Sequence, residues 1–262
     1  MKTTLLCLFA LAAFAFAAPP VPDYSNFATD WVKDPHVKVL PDGSCQVTSA
    51  AAFEGVKTFK VNPAKPVTIT FEVRKTPESL RPLVYVGFWT FDGDRIRVQP
   101  EHVRCEYAGE TAVLEDAPVG ATTLRLKAPR RNPASSWKYL AAGPIKGCPV
   151  PQFDLIQLKS FKKLEDKSIE AILVKPLDKP LAAGTVFHFH GGGPGMYVAY
   201  DEKTPSDEWA TVTCTVLGMQ ENFPRKDKRW WKGTVYAKPR IVVMQGKNNT
   251  VLFRNFRVTV AK

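Results

Sequence analysis

The chain has 262 residues, 45% of them hydrophobic, and a formal charge of +11. That length supports a core without staples, in one large domain or two small ones. No stretch reaches the roughly 20 apolar residues that a bilayer span requires, and the charge points to polyanions as neighbours, or to a surface kept soluble by excess lysine.

Residues 1–18 read as an export signal. Lys2 supplies the positive start, Leu5 to Phe16 the apolar run, and Ala15, Ala17 and Ala18 the small residues before a cleavage point at Pro19 and Pro20. The expected location is therefore secreted, periplasmic or cell-surface. Outside the cell the polyanions are acidic polysaccharides, sulfated glycans or lipid headgroups more often than nucleic acid. Cys45, Cys105, Cys148 and Cys214 remain after processing. They allow two disulfides in three pairings, or buried thiols, and they lack the C-x-x-C spacing of zinc sites.

Along the mature chain period-two alternation dominates, so the expected fold class is all-β. In Val67 to Arg74 the odd positions are apolar and the even ones polar, which buries one face of a strand. Leu83 to Trp89 is apolar on both faces and reads as a central strand. Thr211 to Val216 alternates again, with Cys214 inward. Ile241 to Met244 is expected to form a hairpin with the last strand through the turn residues Gln245 to Asn249. In that last strand Val251 and Phe253 share one parity, whereas Phe256, Val258 and Val260 share the other. A β-bulge at Arg254-Asn255 would return both sets to the core. Twenty-two prolines argue against long helices.

The segment from Gly109 to Gly195 differs in character. It opens with Gly120-Ala121-Thr122-Thr123-Leu124-Arg125-Leu126 and closes with Pro176-Leu177-Asp178-Lys179-Pro180-Leu181-Ala182-Ala183-Gly184-Thr185. With the flanking Val86-Gly87-Phe88, Glu208-Trp209-Ala210-Thr211, Trp230-Trp231-Lys232-Gly233-Thr234 and Leu252-Phe253-Arg254-Asn255-Phe256-Arg257-Val258, these motifs resemble a group of uncharacterised secreted bacterial β-sandwich proteins. The resemblance implies a galactose-binding-like jelly-roll with an inserted small β-subdomain. The jelly-roll would occupy 19–108 and 196–262, and the insert 109–195. It also implies sugar binding. Arg254 stands where such sandwiches often carry an acid, which puts a structural calcium there in doubt.

For chemistry, His188 and His190 in Val186-Phe187-His188-Phe189-His190 project from one face of a strand, a metal-ligand spacing that needs a third ligand such as His36 or His102. The alternative is a pair of rings that pack or cap a loop. His190-Gly191-Gly192-Gly193 spells a lipase oxyanion loop, yet no G-x-S-x-G nucleophile exists, so a flexible crossover is expected. Sugar rings stack on aromatic planes and need polar groups at the rim. Arg229-Trp230-Trp231-Lys232 offers both, and Trp137 and Tyr197 are secondary candidates. Adjacent carboxylates such as Glu115-Asp116 diverge and do not form a hydrolase pair.

The function expected from these observations is a secreted, non-catalytic β-sandwich that binds carbohydrate, with an acidic polysaccharide as partner and no nucleic acid. No cofactor is implied beyond a metal ion at His188 and His190. Alternatives are a polysaccharide lyase or hydrolase using those histidines, and a structural or adhesive surface protein.

Overall fold

The computed structural model describes residues 21–32, 34–131, 133–146, 150–192, 197–220, 228–244 and 248–261. The expected export signal and Cys148 lie outside them. In chain order the elements are β1 (Val37–Val39), β2 (Cys45–Thr48), β3 (Ala51–Glu54), β4 (Phe59–Lys60), β5 (Val67–Lys75), β6 (Leu83–Phe91) and β7 (Arg97–Val98). Then follow a one-turn helix, α1 (Pro100–Val103), and β8 (Cys105–Ala112), β9 (Thr123–Leu126), β10 (Trp137–Ala142), β11 (Leu155–Lys163), β12 (Ile169–Leu173) and β13 (Val186–Gly191). The last are β14 (Tyr197–Lys203), β15 (Ala210–Val216), β16 (Tyr236–Met244) and β17 (Thr250–Val260). With 49% strand against 2% helix among the described residues, the fold is all-β. None of the described helices is long and apolar enough to cross a membrane.

Two antiparallel sheets share one core. One has the order β1-β2-β17-β5-β15 and the other β14-β6-β16-β3, with β4 and β7 added at β16 and β6. Alternation decides what enters: Val67, Ile69, Phe71 and Val73 of β5 are buried, as are Val84, Val86 and Phe88 of β6 and Ile241 and Val243 of β16. Aromatic rings dominate the contact, with Trp31 edge-on to Phe256 at 4.8 Å and Phe71 stacked on Phe256 at 5.9 Å between centroids. Register slips in β17 between Arg254 and Arg257, and Asn255 takes φ +53°. Val251, Phe253 and Phe256 are fully enclosed, as the broken parity demanded, whereas Val258 and Val260 pack against the core only half-buried.

The expected hairpin between Ile241–Met244 and the last strand does not form. β16 pairs with β6 and β3, whereas β17 pairs with β5 and β2 in the other sheet. Turn residues between two apolar strands fit an arch between layers as well as a hairpin within one. Here Ile241 and Val243 of β16 and Val251, Phe253 and Phe256 of β17 belong to one core.

The third sheet, β8-β13-β10-β11-β12-β9, is built from residues 105–191 and has its own cluster, mainly aliphatic: Leu124, Leu126, Leu140, Leu158, Ile169 and Leu173, joined by Trp137, Phe187 and Phe189. No disulfide joins Cys45, Cys105 and Cys214 to one another.

Candidate functional site

The three indoles nominated for stacking are enclosed. Trp230 has no exposed surface and packs against Phe88 at 5.0 Å; Trp231 and Trp137 are each 5% exposed, the latter tilted against Phe189 at 5.4 Å. The expectation that one of two adjacent indoles would stay open assumed an extended chain. Instead Trp230 forms an isolated bridge to Met219 and Trp231 precedes a turn, so both side chains fold inward. Trp137 borders a groove of about 280 Å³ with Lys138, Lys159 and Phe161 but presents no open ring face to it. Arg229 is exposed, and Tyr197 lies on β14 opposite Phe88, its side chain outside the described residues.

Cations and accessible aromatics meet elsewhere, on the outer face of β6 and β16. Because Ala237, Ile241 and Val243 point inward, Tyr236, Lys238 and Arg240 point outward. Register sets Tyr236 beside Phe91 and Lys238 beside Trp89. The guanidiniums of Arg97 and Arg240 lie 4.2 and 3.9 Å from the Trp89 ring centre, and that of Arg95 lies 3.7 Å from the ring of Tyr236. Cation–π attraction of about 0.5–1 kcal/mol per exposed pair holds these charges against the sheet. Glu54 of β3 pairs with Lys238 at 2.5 Å and with Arg240 at 3.2 Å. Beside this face lies an opening of about 590 Å³ whose walls include Lys57, Thr58, Phe91, Arg95 and Lys238, and none of its lining residues among those described is acidic. Arg95 is held at its rim by donating to the Thr58 hydroxyl at 2.5 Å.

His188 and His190 lie in the third sheet. On β13 the phenylalanines at 187 and 189 enter the aliphatic core, while both imidazoles leave from the other face and are also fully buried. Their Nε2 atoms are 3.0 Å apart. Nδ1 of His188 lies 2.7 Å from the Gly143 carbonyl, and Nδ1 of His190 lies 2.6 Å from the Glu101 carbonyl. Gly143 follows β10 at φ +90°, a turn that L-residues adopt only with strain, and this places its carbonyl. Glu101 sits in α1. Burial lowers the pKa of both rings, that of His190 to about 4, so both are neutral near pH 7.

Neither His36 nor His102 joins them; among the described residues the third potential ligand is Cys105. The pairing of β13 with β8 matches His188 with Glu110 and His190 with Cys105, so residues 106–109 bulge out and carry the cysteine back beside the histidines. The glycines after His190 were expected to form a flexible crossover. Gly191 instead ends β13 in a close contact, where a Cβ would lie 2.8 Å from both Arg104 Nε and Glu106 Oε1. Gly193 and Gly195 lie outside the described residues.

No protein-family model matches the chain, and no curated protein matches its sequence. Sequence reasoning missed the Lys57, Arg95 and Lys238 opening, although the parity of Tyr236, Lys238 and Arg240 was a usable signal. It missed Cys105 for want of one, since a bulge of that length leaves no periodic trace.

Proposed function

We propose that this chain is an exported, non-catalytic binder of acidic polysaccharide, engaged at the opening beside the outer face of β6 and β16. The observation that carries the reading is the trio Lys57, Arg95 and Lys238 around a concavity whose described lining residues include no acid, with Glu54 held behind Lys238 as its ion-pair partner. A polymer of uronic acids presents carboxylates at regular intervals, and fixed cations recognise them without stacking. Since arginines already lie over Trp89 and Tyr236, bases of a single-stranded nucleic acid would find no free platform there, which favours the glycan. Jelly-roll connectivity of the galactose-binding-like kind, and cleavage after Ala18, belong to the same proposal. Affinity electrophoresis of the mature protein through gels containing polygalacturonate or neutral dextran tests it. Retardation by polygalacturonate alone, fading as salt shortens the screening length toward ~3 Å at 1 M, is the expected result. Equal mobility in both gels at low salt removes the proposal.

A further inference from the structure

We propose that Cys105, His188 and His190 bind a thiophilic transition-metal ion, zinc or copper(I), as a site independent of the glycan face. Their potential ligand atoms all lie within 4.8 Å of one another. A carbonyl oxygen only accepts, so the contacts to Gly143 and Glu101 each require a hydrogen on Nδ1. The two Nε2 atoms are thereby turned toward each other, 3.0 Å apart, with Cys105 beside them.

A metal ion between the nitrogens would be bound by neutral rings, and a thiolate from Cys105 would offset its charge. The arrangement of the outer hydrogen bonds is the one metal-binding histidines need, because donation from Nδ1 to a backbone carbonyl fixes the tautomer and aims Nε2 at the metal.

Metal–nitrogen bonds of about 2.0–2.1 Å and a metal–sulfur bond of about 2.3 Å span at most roughly 4.4 Å from N to S, so a ligand pair at the 4.8 Å limit of the cluster has to close by about 0.4 Å on binding. The 3.0 Å nitrogen separation corresponds to an N–metal–N angle of roughly 95°, so tetrahedral zinc requires the rings to part by about 0.3 Å. Sulfur and imidazole together select zinc or copper over magnesium or calcium, which prefer oxygen. Cys105 is 8% exposed and the histidines are sealed, so the ion would clip β8 to β13 and to the carbonyls of α1 and the β10 turn. The described residues supply three ligands, which suits trigonal copper(I) as it stands and zinc with one more.

The test is titration of the purified, chelator-treated full chain with Co²⁺ as an optical stand-in for zinc, and separately with Cu⁺ under reducing conditions. One equivalent should bind. Cobalt should produce a thiolate-to-metal charge-transfer band in the near ultraviolet, and zinc should displace it. Cys105→Ser should abolish the band, His188→Asn and His190→Asn should weaken binding at least hundredfold, and His36→Ala should change nothing. The wild-type spectrum stands even if a variant fails to fold. Absence of a charge-transfer band together with no stoichiometric Cu⁺ binding would overturn the proposal, as would a band that survives in Cys105→Ser.

Discussion

The two cores of this protein solve the burial problem differently. In the sandwich each sheet turns one face inward, and the aromatic rings of Trp31, Phe53, Phe71, Phe253 and Phe256 meet between the layers. Its charged side chains are left on the outside. In the third sheet β13 is buried on both faces, with Phe187 and Phe189 on one and His188 and His190 on the other. A strand sealed on its polar side has to satisfy those groups inside the protein. The sandwich therefore carries its chemistry on its surface, as charge, and the third sheet carries its own in the interior, as ligands.

Large-to-small substitution breaks the comparison most forcefully. Phe71→Ala removes a fully buried ring from the aromatic core and is expected to cost about 4 kcal/mol; Leu140→Ala does the same to the aliphatic core for roughly 3 kcal/mol. Denaturant unfolding followed by tryptophan fluorescence measures both. If the two cores are separate cooperative units, each variant shifts its own transition. A single transition that moves with either variant would merge the cores into one.

The Cys45 thiol in the sandwich gives a second probe. Burial pushes its pKa up from 9.0 to about 12. The folded state resists ionisation that the unfolded chain accepts, so this contribution is intact below pH 9 and is lost as pH rises toward 12, by about 4 kcal/mol in all. Cys45→Ala should flatten the alkaline limb of stability measured against pH. An unchanged limb would mean that Cys45 is not its source.

A smaller effect is expected at Glu54. Glu54→Gln leaves Lys238 and Arg240 half-buried without their carboxylate and should cost about 1–2 kcal/mol by thermal unfolding. It also makes the outer face more positive, so retardation by polygalacturonate should increase while stability falls. The opposite changes in one variant separate a binding face from a merely structural ion pair.

Much of the sandwich was readable in the sequence. Alternation in Val67 to Arg74 and the broken parity of the last strand are local records of which face is buried, and both reappear in the burial of β5 and in the slip of β17. Sheet partners were not readable: the same turn chemistry between β16 and β17 suits an arch or a hairpin, and long-range pairing chooses. For the sites, the His-x-His spacing gave one face of one strand. The third ligand came from a bulged neighbour 83 positions before His188, a relation set by register alone. Adjacency misled at Trp230 and Trp231 because period-two reasoning holds only where the backbone is extended.

Recognition of acidic polysaccharide through Lys57, Arg95 and Lys238 is tested most directly by the dissociation constant of a galacturonic acid oligomer, measured calorimetrically on the wild type and on Lys57→Glu/Arg95→Glu. A loss of more than tenfold in the double variant, with thermal stability preserved, is the predicted result. Equal affinity in the two proteins would contradict it.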